Sequence, residues 1–210
     1  MSNRPDLIRI LTVDDHPLLR EGIATLVNGE VDMKLVAEAS NGQEAVQKFR
    51  LHNPDVTLMD LQMPDMNGTE AITEIRSEFP DARIIVLTTY TGDTQVLGAL
   101  KAGARAYLLK ADVHLELLDV IRAVHAGQKR IPPQIAAELA EHAADDPLSS
   151  REIEVVRLIA TGSSNKLIAD QLSISEATAK THVASILSKL GANDRAHAVA
   201  IALKRGIIEL

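Results

Sequence analysis

Three acids, one hydroxyl and one lysine stand at corresponding places along this chain. Asp14 and Asp15 follow the apolar run Ile8–Val13, and Asp60 follows the run 56–59. Thr88 follows 84–87, and Lys110 follows Ala106–Leu109. A single loop aspartate is usually a turn residue or a helix cap. The set, repeated at the end of one apolar run after another, asks for a shared role. Carboxylates brought within a few ångströms of each other repel strongly once partly desolvated. A divalent cation relieves that repulsion, and an all-oxygen donor set suits Mg2+, which keeps several of its waters. A lysine opposite supplies a second positive group. Together they can neutralise the oxygens of a transferring phosphoryl group, with an aspartate as nucleophile.

A second group of residues occupies the segment 176–190. Val183, Ile186, Leu187 and Leu190 recur at helical spacing and mark a core face. Lys180, Thr181, Ala184, Ser185 and Ser188 lie opposite, giving a small, polar face with a cation near its N-terminal end. Such a face fits the major groove of double-stranded DNA. It equally fits the solvated side of a helical interaction bundle.

The elements that must position these residues are legible in two periods. The runs Ile8–Val13, 35–39, 56–59, 84–87 and Ala106–Leu109 are of strand length and nearly all apolar, the pattern of strands buried on both faces. Helix-period segments lie between and after them, at about 18–27, 42–51, 68–78, 94–102 and 113–126. Five strand–helix units in succession predict a doubly wound parallel sheet, an α/β fold whose ligands sit at the carboxyl ends of the strands. The stretch 127–147, with Gly127, Pro132, Pro133 and Pro147, reads as a linker carrying a short Ala-rich helix at 134–143. Everything after it is helical. Ser149 to Glu152 forms a Ser-x-x-Glu capping box, Gly162 closes a helix, and helices follow at about 166–172, 176–190 and 195–205. The turn Ser173-Ile174-Ser175 makes the middle pair a helix-turn-helix. The organisation expected is a domain over 1–126, a linker over 127–147 and an all-α domain over 148–210.

Composition bounds the alternatives. The 210 residues include no cysteine, which excludes disulfides, thiolate nucleophiles and Cys-ligated metals. The formal charge is −7 over residues 1–128, −2 over 129–147 and +2 over 148–210, so the two halves expect different partners. The N-terminal apolar run is short and ends in two acids, unlike a secretory signal, and no stretch reaches the length of a membrane span. A cytoplasmic location is expected.

Residues 8–126 resemble the receiver domain of two-component response regulators. The carrying runs are LTVDDHPLLREGI, LMDLQMPDMNG and GARAYLLK. The resemblance implies that Asp60 is the phosphoacceptor. It also implies that Asp14, Asp15, Asp60 and the backbone carbonyl of Gln62 hold Mg2+, and that Thr88 and Lys110 contact the phosphoryl group. Tyr107, with Thr88, is then a conformational switch, and Gln62 and Tyr90 border the path of the hydrolytic water. Ala111 stands where many receivers carry a proline in a cis bond, which without proline costs about 3–4 kcal/mol. His16 can be read as a ligand, but the preferred reading is that it and Pro17 shape the start of the first helix.

Residues 148–208 resemble the LuxR-type helix-turn-helix of the NarL/FixJ group. They run LSSREIEVVRLIATGSSNKLIADQLSISEATAKTHVASILSKLGANDRAHAVAIALKRGII. By that resemblance Lys180, Thr181 and Ala184 face the groove, while Asn165 and Lys166 lie nearer the backbone. Ala184 and Leu167 depart from the family, in which longer polar residues and an acid are common at these places. The combined resemblance implies a phosphorylation-controlled transcription factor. Its partners would be a sensor histidine kinase, promoter DNA, RNA polymerase and a second copy of itself. A dehalogenase-type phosphatase would need a second acid at position 62, where Gln62 stands, and an adaptor with a protein-binding helical domain is the remaining alternative.

Overall fold

The computed structural model describes residues 7–89, 93–131, 136–137 and 146–208. The chain forms two compact units, one of residues 1–91 and 96–136, the other of residues 92–95 and 137–210. The first holds one sheet of five parallel strands in the order β2-β1-β3-β4-β5. These are β1 (Ile8–Val13), β2 (Met33–Ala39), β3 (Val56–Asp60), β4 (Ile84–Thr88) and β5 (Ala106–Leu109). Helices α1 (Pro17–Asn28), α2 (Gly42–His52), α3 (Gly68–Glu78), α4 (Asp93–Ala102) and α5 (Val113–His125) alternate with them, a short 3-10 turn Lys110–Asp112 leading into α5. β3 and β4 are buried at every position, as the continuous apolar runs require of central strands covered on both faces.

One apolar layer joins Ile10, Leu58, Ile85, Leu87 and Leu108 of the sheet to Ile23 and Val27 of α1 and to Leu117, Ile121 and Val124 of α5. Alternation along the strands turns Leu11, Met59 and Val86 to the other face. There the rings of Phe49 on α2 and Phe79 after α3 meet at 4.9 Å. β1 lies between β2 and β3, so the chain leaves it in opposite directions on its two sides. That switch point opens a crevice at the carboxyl ends of β1 and β3, where Asp14 and Asp60 stand. No peptide bond among the described residues is cis, so Lys110–Ala111 is trans.

The second unit is helical: α6 (Ser150–Ala160), α7 (Asn165–Leu172), α8 (Glu176–Leu190) and α9 (Arg195–Lys204). Each begins at a side-chain cap, from Ser149, Ser164, Ser175 and Asp194 respectively. Val155, Val156, Ile159, Ile168, Ala169, Ala179, Ile186, Ala198, Ala202 and Ile208 form its core. Ala198 and Ala202 of α9 are fully buried, so that stripe serves packing within the unit. The Ala-rich helix expected at 134–143 lies, apart from residues 136 and 137, outside the described residues, as does Tyr90. No described helix is long and apolar enough to cross a membrane.

Candidate functional site

The strand ends bring the expected residues together. Asp14 follows β1 and is completely buried. Asp60 closes β3 at 2% exposure and Thr88 closes β4 at 1%. Lys110 follows β5 and reaches back across the strand ends, its Nζ 2.7 Å from Asp14 Oδ2 and 2.8 Å from Asp60 Oδ2. The Gln62 backbone N–H donates to Asp60 Oδ1 at 3.2 Å, so both Asp60 oxygens are held. Tyr107 sits on β5 in register with Val86 and is buried, its ring already turned into the protein.

Burial pushes the Asp60 carboxyl above its ordinary range. Lys110 opposes this through its hydrogen bond and its charge, and the neighbouring Asp14 charge adds to the rise. For Lys110 burial alone would favour the neutral amine, but the pairing with Asp14 and Asp60 outweighs it and raises the ammonium's pKa. The lysine therefore stays charged between two acids.

Oxygen donors remain available for a cation. Asp14 Oδ2 and Asp15 Oδ1 are buried atoms whose near neighbours are Lys110 Nζ, at 2.7 Å, and His16 Nδ1, at 2.6 Å. Ligand atoms of Asp14, Asp15, His16 and Asp60 all lie within 4.8 Å of one another. This all but wholly oxygen donor set fits a divalent cation, whose charge would offset the repulsion among the clustered carboxylates.

Four neighbours of the site stand outside the expected set, His16 because its reading as a ligand was set aside. His16 does begin α1, with Pro17 in the first helical position. Its Nδ1 also lies 2.6 Å from Asp15 Oδ1 and 3.1 Å from Asp14 Oδ1. Arg20, one turn into α1, donates to the Asp14 carbonyl at 2.5 Å. Gly68 packs against the Asp60 backbone and donates its N–H to Leu61 O at 3.0 Å. Gly42 packs against the Met66 backbone and bonds its carbonyl at 3.1 Å, tying α2 to the loop after Asp60. The adjacency of His16 to the two acids was the one signal in the sequence that could have placed it here.

In the second unit, α7, the turn at Ser173 and α8 form the expected helix-turn-helix. Ser173 adopts the left-handed conformation (φ 53°, ψ 45°) that reverses the chain. Lys180, Thr181, Ala184 and Ser188 are exposed on α8, Lys166 is exposed on α7, and Asn165 is half-buried. Lys180 pairs with Glu176 at 2.9 Å, and Thr181 donates its hydroxyl to the Ala177 carbonyl at 3.1 Å.

Ser185 does not share that face. Its hydroxyl donates to Glu152 Oε1 at 2.6 Å, and Lys189 bonds Glu152 Oε2 at 3.0 Å. The assignment of Ser185 to the groove is corrected: a polar residue on a helix takes a buried carboxylate as readily as water. Burial alone would push the Glu152 carboxyl up. Hydrogen bonds from Ser185, the Ser149 N–H, Lys189 and the Ser149 hydroxyl overcome it and hold the carboxyl at about 2. The core face also differs from the expected one, since Ala179 is fully buried beside Ile186 while Val183, Leu187 and Leu190 are only partly covered.

Residues 10–122 match the response regulator receiver domain, and residues 146–202 match the luxR family of bacterial regulatory proteins. The transcriptional regulatory protein YxjL of Bacillus subtilis (strain 168) is 39% identical, covering 97% of this chain and 99% of its own. The transcriptional regulatory protein LiaR of the same strain is 38% identical, covering 96% of this chain and 100% of its own. Among solved structures, two RcsB dimers bound to two parallel DNAs present a chain of 25% identity and TM-score 0.67, covering 94% of this chain and 98% of that one.

Proposed function

Because this chain belongs to the response regulators that join a receiver domain to a LuxR-type DNA-binding domain, we propose that a phosphoryl group on Asp60 controls its binding to DNA. The family is one of DNA-binding transcription regulators. The observation that carries the reading is Lys110 set between Asp14 and Asp60 at the end of the sheet.

Asp60 is the phosphoacceptor. Its carboxylate oxygen attacks the phosphorus of a donor, the bond from phosphorus to the leaving group breaks, and an acyl phosphate remains on Asp60. The Lys110 ammonium and the Thr88 hydroxyl meet the oxygens of the transferred group, the first with charge and the second with a hydrogen bond. Asp14, Asp15, Asp60 and the Gln62 carbonyl would hold Mg2+, which supplies charge neutralisation to the phosphoryl oxygens when bound. The acyl phosphate moves the negative charge that now binds Lys110 from the Asp60 carboxylate out to the phosphoryl oxygens, so the strand ends must rearrange. Thr88 and Tyr107 are the switch that reports this. The donor is a sensor histidine kinase.

The domains run over 1–126 and 148–210 with a linker at 127–147. The second binds double-stranded promoter DNA through Lys180, Thr181, Ala184 and Ser188, with Asn165 and Lys166 at the backbone. One such helix makes few contacts, and two copies reading adjacent half-sites give the usual remedy. The DNA-bound RcsB dimers support that arrangement. RNA polymerase is a further partner, and the site of action is the cytoplasm. A small phosphodonor with Mg2+ should add one phosphoryl mass to the wild type and none to Asp60→Asn. Selection from random DNA should yield a paired site bound more tightly by the phosphorylated chain. Equal phosphoryl uptake by Asp60→Asn rejects the assignment.

A further inference from the structure

The reading of the strand-end crevice as a cation site leaves His16 unexplained. Its ring is 69% exposed and belongs to no core, yet it is directed at the carboxylates. Its backbone is pinned there, because the His16 N–H donates to Asp14 Oδ1 at 2.8 Å and Pro17 fixes the next turn of chain. Nδ1 lies 3.1 Å from Asp14 Oδ1 and 2.6 Å from Asp15 Oδ1. Donors that share one transition-metal ion at 2.0–2.2 Å each sit about 3 Å apart when adjacent and about 4 Å apart when opposite. The largest separation in this cluster, 4.8 Å, is close enough that a bound ion could draw the donors in. Asp14, wholly buried, directs into the same crevice an Oδ2 whose near neighbour is Lys110 Nζ at 2.7 Å.

We propose that His16 is a nitrogen ligand of this pocket, giving it a mixed oxygen–nitrogen donor set that takes a borderline divalent cation such as Co2+ or Zn2+ more tightly than Mg2+. The proposal rests on the pocket being a cation site at all. Carboxylates and carbonyls alone suit hard cations, whereas imidazole suits later first-row metals, whose affinity for N and O donors rises along the Irving–Williams series. Mg2+ gains little from a nitrogen donor, so His16 should separate the two classes of ion. A histidine that merely oriented Asp15 through a hydrogen bond would move every cation alike.

The test uses the untagged full-length chain, titrated calorimetrically with Mg2+ and with Co2+, the latter also followed through its visible absorption bands. Wild type should bind Co2+ about tenfold or more tighter than Mg2+, and excess Mg2+ should displace the Co2+. His16→Gln, at an exposed position that folding does not need, should lose about tenfold in Co2+ affinity and change the Co2+ spectrum, with Mg2+ affinity within about twofold of wild type. His52→Gln, far along the sequence on α2, should change neither. Equal losses for both cations, or Co2+ affinity and spectrum unaffected by His16→Gln, overturn the inference while leaving the cation pocket standing. A wild type that binds neither cation overturns both.

Discussion

Gly68 and Asp60 are stacked so closely that no side chain fits between them. A Cβ at Gly68 would run into the carbonyl oxygen of Asp60 and come within 2.8 Å of Leu61 Cα, both main-chain atoms with little room to yield. Gly68 opens α3, and the capping box of Asn67 and Glu70 fixes that helix start. The first turn of α3 is therefore clamped beneath the proposed phosphoacceptor.

Gly68→Ala inverts the ordinary rule. Alanine in a helix is favoured over glycine by about 1 kcal/mol, but here the added methyl must move the Asp60 backbone. The expected outcome is a loss of about 1–3 kcal/mol in stability, with slower phosphoryl uptake from a small donor. Urea unfolding and the rate of mass gain check it. A variant as stable and as reactive as wild type would show that the strand end yields freely.

Glu152 should make the helix-turn-helix acid-sensitive. Its folded carboxyl is held at about 2 against an ordinary 4.5. A depressed carboxyl pKa contributes stability that is fully present above 4.5 and fades as pH falls from there toward about 2. The effect is up to roughly 3 kcal/mol for a group this well covered. Glu152→Gln should lose much of that stability at neutral pH and flatten the acid dependence below 4.5. The two Phe and two Tyr all fall within the first 107 residues, so their signals report only the first unit. Hydrogen exchange of peptides from α6 and α8 is the measurement that sees this one.

Much of this was legible. Central strands that are buried on both faces must be continuously apolar, and residues that end such runs must converge at one edge of a parallel sheet. That logic located Asp14, Asp60, Thr88 and Lys110 from spacing alone. It failed where a contact depends on a partner distant in sequence. Ser185 reads as solvent-facing until Glu152, 33 residues away, is seen to accept its hydrogen bond. Ala179 carries too small an apolar signal to mark a core position, though the close approach of α8 to its neighbours needs a small residue there. His16 was recognised as a helix start, but the direction of its ring follows from the angle at which the chain enters α1, and no periodicity encodes that angle.

Leu167 marks an unfinished cap. Asn67 with Glu70 and Ser149 with Glu152 are complete capping boxes, each acid reaching back to the N-cap amide. At α7 the Ser164 hydroxyl accepts from the Leu167 N–H at a long 3.4 Å, and the residue three places on is an exposed leucine with nothing to return. Leu167→Glu should complete the box and place an acid at the helix N-terminus, stabilising the chain by about 0.5–1.5 kcal/mol. The same charge stands beside Lys166 and should weaken DNA binding. A thermal melt followed by far-UV circular dichroism and a gel shift at fixed salt should move in opposite directions. A rise in both would remove α7 from the DNA backbone.

Lys180 separates folding from recognition most cleanly. Its side chain is 62% exposed and its ion pair with Glu176 one turn earlier is a solvated pair worth about 0.3–0.5 kcal/mol. Alanine regains a similar amount through helix propensity, so Lys180→Ala should leave stability unchanged within about 0.5 kcal/mol. On DNA the loss should be larger. A lysine reading a guanine edge contributes about 1–3 kcal/mol at the selected site and little elsewhere. One that contacts only phosphate weakens every sequence equally and lowers the salt slope by about one. Its place in the first turns of α8, beside exposed Thr181 and Ala184, favours the base edge, because the N-terminal residues of a recognition helix enter the groove most deeply. Affinity measured on the selected site and on unrelated DNA, each across a range of salt, distinguishes the two. Loss confined to the selected site is the expected result, and equal affinity of variant and wild type on that site would move recognition away from this face of α8.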